Sequence, residues 1–455
     1  MTNHQNSTIV APITGQAQAA VSVIRISGPE AISISESLTK KKLQQADGYT
    51  LHYGFVYDGE DKLDEVVIAL FKAPKSYTGE DVVEISFHAS PYILSRALDL
   101  CQQNGAKMAQ AGEFSMRAYL NGQLDLSQAE AVADLIASSS KAAHDMAMYQ
   151  LKGAYSTMIQ ELRARLIKFA ALLELELDFA EEDVEFADRT EFVQLIDEIN
   201  QTCKNLSDSF KAGNVIKKGI PVAIIGAPNA GKSTLLNALL KENRAIVSDI
   251  AGTTRDTIED EMQIGGHTFR FIDTAGIRET EDQIEKLGIE RSYESLEKAK
   301  IILWMHDLVD PLKDADFKVF QEKVKAKMQP DAKLVLLANK HDKVQELPAY
   351  LLTPIKLAAK AGGGVEEVET QLAEYAKSLY ANADEMVISN ARHFEAMQDC
   401  INSLSRAKEG LQNGLSTDLV AFDVREALQA LGSITGEITT DDLLGTIFSE
   451  FCIGK

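Results

Sequence analysis

One octapeptide constrains the fold of this chain more than any other stretch: Gly226-Ala227-Pro228-Asn229-Ala230-Gly231-Lys232-Ser233. It has the GxxxxGK[ST] spacing, follows the apolar run 222–225 and precedes a helical pattern over 234–240. A strand, a glycine-rich turn and a helix in that order form the phosphate corner of a doubly wound α/β sheet. The turn lets backbone N–H groups surround a β-phosphate, and the helix amino terminus favours negative charge. Lys232 is placed to pair with the β- and γ-phosphates and Ser233 to bind Mg²⁺. Asn229, Ala230, Gly231 and Thr234 are expected to line the same phosphates.

Three further strings fall in the expected order. Asp273-Thr274-Ala275-Gly276 ends an apolar run, so Asp273 can sit behind Mg²⁺ and Gly276 can approach the γ-phosphate. Asn339-Lys340-His341-Asp342 ends another. The Asp342 carboxylate can accept from N1–H and the 2-amino group of guanine, and adenine offers neither donor. Between the first two strings, Gly252-Thr253-Thr254-Arg255-Asp256 lets Thr254 supply a second Mg²⁺ ligand. Each string alone is weak; together they specify a GTPase. Ile277 stands where Ras-like GTPases carry a water-orienting Gln. The water must then be held elsewhere, for instance by a carboxylate within 279–290. The positive charge that hydrolysis needs must come from Arg255, Arg278, a partner's arginine or a bound cation. Asn229 is an oxygen ligand for such a cation, or else a loop residue that tolerates a tight turn.

The chain has 455 residues and a formal net charge of −22, of which 121–215 and 381–455 carry −16. A free polyanion such as RNA is repelled on average, so RNA contact needs a local basic patch or a partner. The two acidic segments share a helical texture rich in Ala, Leu, Glu and Gln. Ser127-Gln128-Ala129-Glu130 has capping-box spacing, and Val132, Leu135 and Ile136 predict the apolar stripe that follows. Leu162, Leu166, Phe169, Leu172, Leu173 and Leu177 extend the style, and Leu404, Leu411, Leu419, Val424, Leu428 and Leu431 repeat it. The other segments read as α/β, with strands at 21–26, 66–71, 82–87, 222–225, 268–272, 301–305 and 334–337. The fold class is therefore multidomain α/β. An N-terminal α/β domain spans 1–120, a helical domain is split between 121–215 and 381–455, and an inserted P-loop GTPase domain spans 216–380. Cys101, Cys203, Cys400 and Cys452 form no CxxC pair, which predicts a reducing compartment without a zinc site. No signal segment or long apolar stretch is read, so a cytoplasmic protein with no membrane contact is expected.

The guanine-nucleotide strings, Ser7-Thr8-Ile9-Val10-Ala11, the flank Asn390-Ala391-Arg392-His393-Phe394-Glu395-Ala396 and the tail Phe451-Cys452-Ile453-Gly454-Lys455 together resemble the MnmE (TrmE) family of tRNA modification GTPases. The resemblance implies a homodimer with an N-terminal domain that binds a tetrahydrofolate derivative (5-formyl- or methylene-tetrahydrofolate). It implies a heterotetramer with an MnmG-like FAD protein that delivers most of the tRNA. Together such complexes install aminomethyl or carboxymethylaminomethyl groups at C5 of the wobble uridine. It also implies that K⁺ promotes contact between two G domains and acts like an arginine finger. By this resemblance Asn229, Ser248, Ile250 and Thr253 hold K⁺, and Ser233 and Thr254 hold Mg²⁺. Ser248-Asp249-Ile250-Ala251-Gly252-Thr253-Thr254 and Ala358-Ala359-Lys360 line GTP. Glu285 orients the water through a bridging water and acts with Lys232 and Asn229 in catalysis. Arg25, Glu84, Gln123, Cys452 and Lys455 are the implied folate contacts. A carboxylate such as Glu84 suits the amide-like edge of a pterin, and Arg25 suits the glutamate tail. The chain departs from the family at Gln123, where a Lys is usual, and at His88-Ala89-Ser90, where the family has HGG. It departs again at Pro12–Ala20, a Gly/Pro-rich stretch elsewhere, and at Ala358, where the family has Ser. Gln123 keeps hydrogen-bonding capacity but lacks a charge to meet a folate carboxylate. The alternative reading of the same G-domain strings is a regulatory or assembly GTPase that only switches between partners.

Overall fold

The computed structural model describes residues 7–15, 19–178, 188–243, 260–272, 294–344, 346–380, 387–449 and 451–454. The first half comprises β1 (Ile9–Pro12), β2 (Val21–Ser27), α1 (Ala31–Thr39), β3 (Thr50–Asp58), β4 (Asp61–Phe71), β5 (Val82–His88), α2 (Pro91–Gln103), β6 (Lys107–Met108), α3 (Glu113–Leu120), α4 (Leu126–Ala137), α5 (Lys141–Leu151), α6 (Ala154–Asp178) and α7 (Arg189–Lys218). Then follow β7 (Ile220–Gly226), α8 (Lys232–Asn243), β8 (Asp260–Ile264), β9 (His267–Phe271), β10 (Ile301–Asp307), α9 (Asp314–Lys327), β11 (Lys333–Asn339), β12 (Ile355–Lys356), α10 (Val365–Tyr380), α11 (Ala391–Gln412), α12 (Thr417–Thr435) and α13 (Asp441–Ser449). The chain divides into two compact units. One is Met1–Ala133, Gln150–Ile196 and Asn402–Lys455; the other is Asp134–Tyr149 and Asp197–Ile401. The divisions fall inside α4, α5, α7 and α11.

The first unit holds a six-stranded sheet in the order β3-β4-β5-β2-β1-β6, antiparallel except for the parallel pair β1–β6. Alternation decides its faces. Ile24, Ile26, Ile68, Leu70, Val83 and Ile85 bury one face against α1 and α2. Each such side chain contributes roughly 1.5–3 kcal/mol on leaving water. The other face carries two rows set by register. One row runs Leu51, Ala69, Glu84, Arg25, Ala11, and the next Tyr53, Val67, Ser86, Val23.

The start of α4 differs from expectation. Asp125 is the cap: its Oδ1 accepts from the Gln128 amide at 2.9 Å, and Gln128 Oε1 accepts from the Asp125 amide at 3.0 Å. This reciprocal box sits two residues before the predicted one, because Ser127 already lies in the first turn, where Gln150 Nε2 donates to its carbonyl oxygen and hydroxyl. The buried stripe is correspondingly Leu126 and Ala129, joined by half-buried Ala133, which pack with Leu444, Phe448 and Phe451. Ile136, expected inside, is exposed, as is Leu419.

The second unit is built on the sheet β12-β11-β10-β7-β9-β8, parallel except for the β8–β9 hairpin. Its central strands are near-continuous apolar runs because both faces are covered. Val222 and Ile224 face the cluster that includes Leu235, Leu239 and Leu372, while Ala223 and Ile225 face the one containing Trp304 and Phe317. Successive strands β9 and β10 lie on opposite sides of β7. The carboxyl end of β7 is therefore the topological switch point where such sheets bind ligands. The helices that lead into and out of this sheet run side by side. Phe210 of α7 stacks on Phe394 of α11 at 4.7 Å, and Ser209 Oγ accepts from the Ile388 amide at 3.2 Å.

Candidate functional site

At the switch point the octapeptide forms a tight loop between β7 and α8. Three of its residues have left-handed backbones: Gly226 (φ 152°), Asn229 (φ 60°) and Gly231 (φ 100°). Two of the glycines are steric necessities. A Cβ on Gly226 would lie 2.4 Å from the Met305 carbonyl oxygen, and one on Gly231 2.3 Å from Asn339 Nδ2. Lys232 Nζ donates to the carbonyls of Gly226 at 2.8 Å and Ala227 at 3.0 Å. Burial holds its pKa below the usual lysine range. A phosphate in the loop would reverse that shift by supplying the missing opposite charge. Ser233 and the exposed Thr234 follow in the first turn of α8, where N–H groups have no helical acceptor.

Asn339 joins the loop to the base-binding strings. Its Nδ2 donates to the Ala230 carbonyl at 2.7 Å, and its Oδ1 accepts from the Ala359 amide at 3.1 Å. Both atoms of one buried amide are thus used to fix two loops. Lys340, in a left-handed conformation, pairs with Asp307 at the end of β10. Burial raises the Asp307 carboxyl, but the bonds from Lys340 and the Val309 amide outweigh it and hold the pKa below the usual range. His341 N–H donates to the Leu357 carbonyl, which brings the 339–342 turn beside 357–360. Asp342 and Lys360 are exposed, Ala358 is half-buried and Ala359 is buried. Asp307 and Met305 were not legible as site residues, since neither belongs to a motif. A groove of about 480 Å³ beside Leu334, Leu336 and Leu352 lies at the opposite end of β11 and is no part of this site.

In the first unit Arg25 and Glu84 face one another across β2 and β5 and form an ion pair at 2.8 Å. The Arg25 guanidinium also lies over the rings of Tyr77 at 5.0 Å and Phe114 at 5.5 Å. Gln123 lies against Gly79, its Nε2 3.1 Å from where a Cβ would stand. Behind this face, buried Arg117 binds Glu80 at 3.1 Å, Glu113 at 2.9 Å and the Ser7 carbonyl at 2.7 Å. That cluster had no signature in the sequence. The tail is pinned nearby: Ala111 bridges to Ile453, the Gly112 amide donates to the Cys452 carbonyl at 3.4 Å, and the Cys452 side chain is exposed. A second cysteine finding is tertiary. Cys203 and Cys400, distant in sequence, meet between α7 and α11, and the Cys400 thiol hydrogen-bonds Cys203. Ser248, Asp249, Ile250, Ala251, Gly252, Thr253, Thr254, Asp273, Thr274, Ala275, Gly276, Glu285 and Lys455 lie outside the described residues.

Two family profiles match this chain: "GTP-binding protein TrmE N-terminus" over residues 8–123 and "MnmE helical domain" over residues 126–452. The chain belongs to the MnmE family. The MnmE profiles meet at residues 124–125, where Asp125 caps α4. The tRNA modification GTPase MnmE of Christiangramia forsetii is 49% identical over 99% of each chain. That of Flavobacterium johnsoniae is 49% identical over 98% of this chain and 99% of its own. That of Bacteroides thetaiotaomicron is 47% identical over 98% and 99%. A solved structure of an Aquifex aeolicus Era variant bound to GDP.AlF4− covers 40% of this chain and 66% of its own, at 28% identity and a TM-score of 0.26. No helix among the described residues is long and apolar enough to cross a membrane.

Proposed function

We propose that this chain hydrolyses GTP to drive modification of C5 of the wobble uridine in tRNA, as a cytoplasmic homodimer working with an MnmG-like flavoprotein. The observation that carries the nucleotide reading is Asn339, which ties the phosphate loop at Ala230 to the base-side loop at Ala359, and the near full-length likeness to tRNA modification GTPases supports the modification. The domain limits near 120, 215 and 380 belong to the same proposal.

In hydrolysis, water attacks the γ-phosphate in line. Ser233 and Thr254 would hold Mg²⁺, while Asn229, Ser248, Ile250 and Thr253 would hold K⁺. The exposed Asn229 amide and the Ser233 hydroxyl are hard oxygen donors suited to both ions. Bound there, such ions would supply positive charge as negative charge develops on the γ-phosphate. Lys232 leaves its loop carbonyls for the β- and γ-phosphates, and Glu285 orients the water. Asp342 selects guanine.

Arg25, Glu84, Gln123, Cys452 and Lys455 bind the tetrahydrofolate derivative. Exposed Leu51, Tyr53 and Val67 share a sheet face with Arg25 and Glu84. A homodimer formed through that face would set the folate contacts at its interface. The net charge of −22 is in keeping with tRNA held mainly by the partner.

GTP turnover measured in K⁺ and in Na⁺ at equal ionic strength tests the mechanism. Turnover is expected to be at least about tenfold faster in K⁺, the scale of one supplied positive charge. Equal rates would remove K⁺ from the site.

A further inference from the structure

The linker between α4 and α5 is held against the sheet of the second unit in a way that the nucleotide site does not require. Gly265 (φ 59°) and Gly266 (φ 83°) form the two-residue turn of the β8–β9 hairpin. The Gly266 carbonyl accepts from the Ala142 amide at 3.2 Å. That amide is one of the orphan donors in the first turn of α5, and Ser140 Oγ satisfies its neighbour Ala143 at 3.2 Å. Ser139 Oγ meets Thr268 Oγ1 of β9 at 3.2 Å. The turn lies against its neighbours, more tightly at Gly265 than at Gly266. A Cβ on Gly266 would stand 3.5 Å from Lys141 Cβ, and one on Gly265 3.0 Å from Ala373 Cβ of α10.

The other end of the hairpin leads to the nucleotide strings. β8 begins at Asp260, six residues after Thr254, and β9 ends at Phe271, two residues before Asp273. A paired hairpin of this length is a stiff element of roughly 16 Å, joined to the sheet at β7 along β9. α4, on the near side of the linker, is one of the helices along which the chain passes from one unit to the other.

We infer that residues 139–142 are positioning residues that sense the β8–β9 hairpin and couple its nucleotide-dependent position to α4. The inference rests on the GTP reading above. Ser139 and Ala142 touch no nucleotide; they act through Thr268 and Gly266.

Hydrogen exchange followed by mass spectrometry on the full-length protein tests it, in Mg²⁺ and K⁺, with GDP and with GDP plus aluminium fluoride. Exchange of the 139–145 amides is expected to differ at least about threefold between the two states. In the Ser139→Ala, Thr268→Val double variant the difference is expected to vanish while GDP affinity stays within about twofold. Equal exchange in the parent protein overturns the inference, and so does a difference that the double variant retains. Equilibrium dialysis with GDP on the same samples separates the two levels: absence of binding in the parent overturns the nucleotide reading and the coupling with it.

Discussion

Single residues carry the nucleotide loop through close approach rather than through charge alone. Gly231 leaves only the space that the Asn339 amide fills, and its left-handed backbone is costly for any other residue. Gly231→Ala is expected to strain the loop by about 1–3 kcal/mol and to lower GTP affinity at least about tenfold, measured by fluorescent-nucleotide titration. His306 is a different kind of buried residue. It packs beside Trp304 at 4.6 Å and Phe317 at 5.4 Å, with Nε2 lacking a partner among the described residues. Burial pushes its pKa down to about 4 from the ordinary 6.5. Below pH 6.5 the unfolded chain takes up a proton that the folded chain refuses, so stability falls as pH drops from 6.5 to about 4. The loss approaches about 3 kcal/mol at the acid end. His306→Phe is expected to flatten that limb in urea unfolding curves taken across the range. An unchanged acid limb would show that the imidazole is protonated in the folded protein.

Elements were legible wherever burial on a face imposed a period. The strand readings 222–225, 301–305 and 334–337 fall within β7, β10 and β11 because parallel strands covered on both faces are apolar throughout. β3, with exposed Leu51 and Tyr53 on its outer face, lacks the clean alternation that marks a strand in sequence. For α4 the helix was legible but its cap and inward face were not, since Ser127 and Asp125 are both good caps and only the neighbours of Ser127 decide between them. The shared helical texture of 121–215 and 381–455 predicts that α7 and α11 belong to one domain, but not which of their residues meet. Just before α11, a Cβ on Gly213 of α7 would stand 2.0 Å from the Ile388 carbonyl oxygen. Gly213→Ala is expected to push the two helices apart, at a cost of at least about 2 kcal/mol, and to lower Tm by about 4–8 °C in differential scanning calorimetry. An unshifted Tm would mean that the seam opens without loss.

Across the whole molecule, the two sheets differ in how they treat their faces. The second unit covers both faces of its sheet with helices, and among the described residues the first leaves part of one face bare. Leu51 is 73% and Tyr53 59% exposed, on adjacent rows of that bare face. A contiguous apolar surface of this kind marks an interaction site. Leu51→Glu with Tyr53→Glu is expected to convert a dimer to a monomer at micromolar concentration in sedimentation velocity, with Tm within about 2 °C because neither side chain belongs to the core. Dimers that persist would move the interface elsewhere.

The nucleotide class, the α/β and helical character of the segments and their order follow from short strings and from hydrophobic period. Those signals are local, since a phosphate loop is eight consecutive residues and a strand five to seven. Long-range contacts had no such trace. The Asn339 tie between two loops, the pairing of Arg25 with Glu84, the Arg117 cluster and the meeting of Cys203 with Cys400 join residues far apart in the chain. Each depends on strand order or helix register, which are settled by how whole faces pack. Only the folded chain could decide which distant side chains those faces bring within reach.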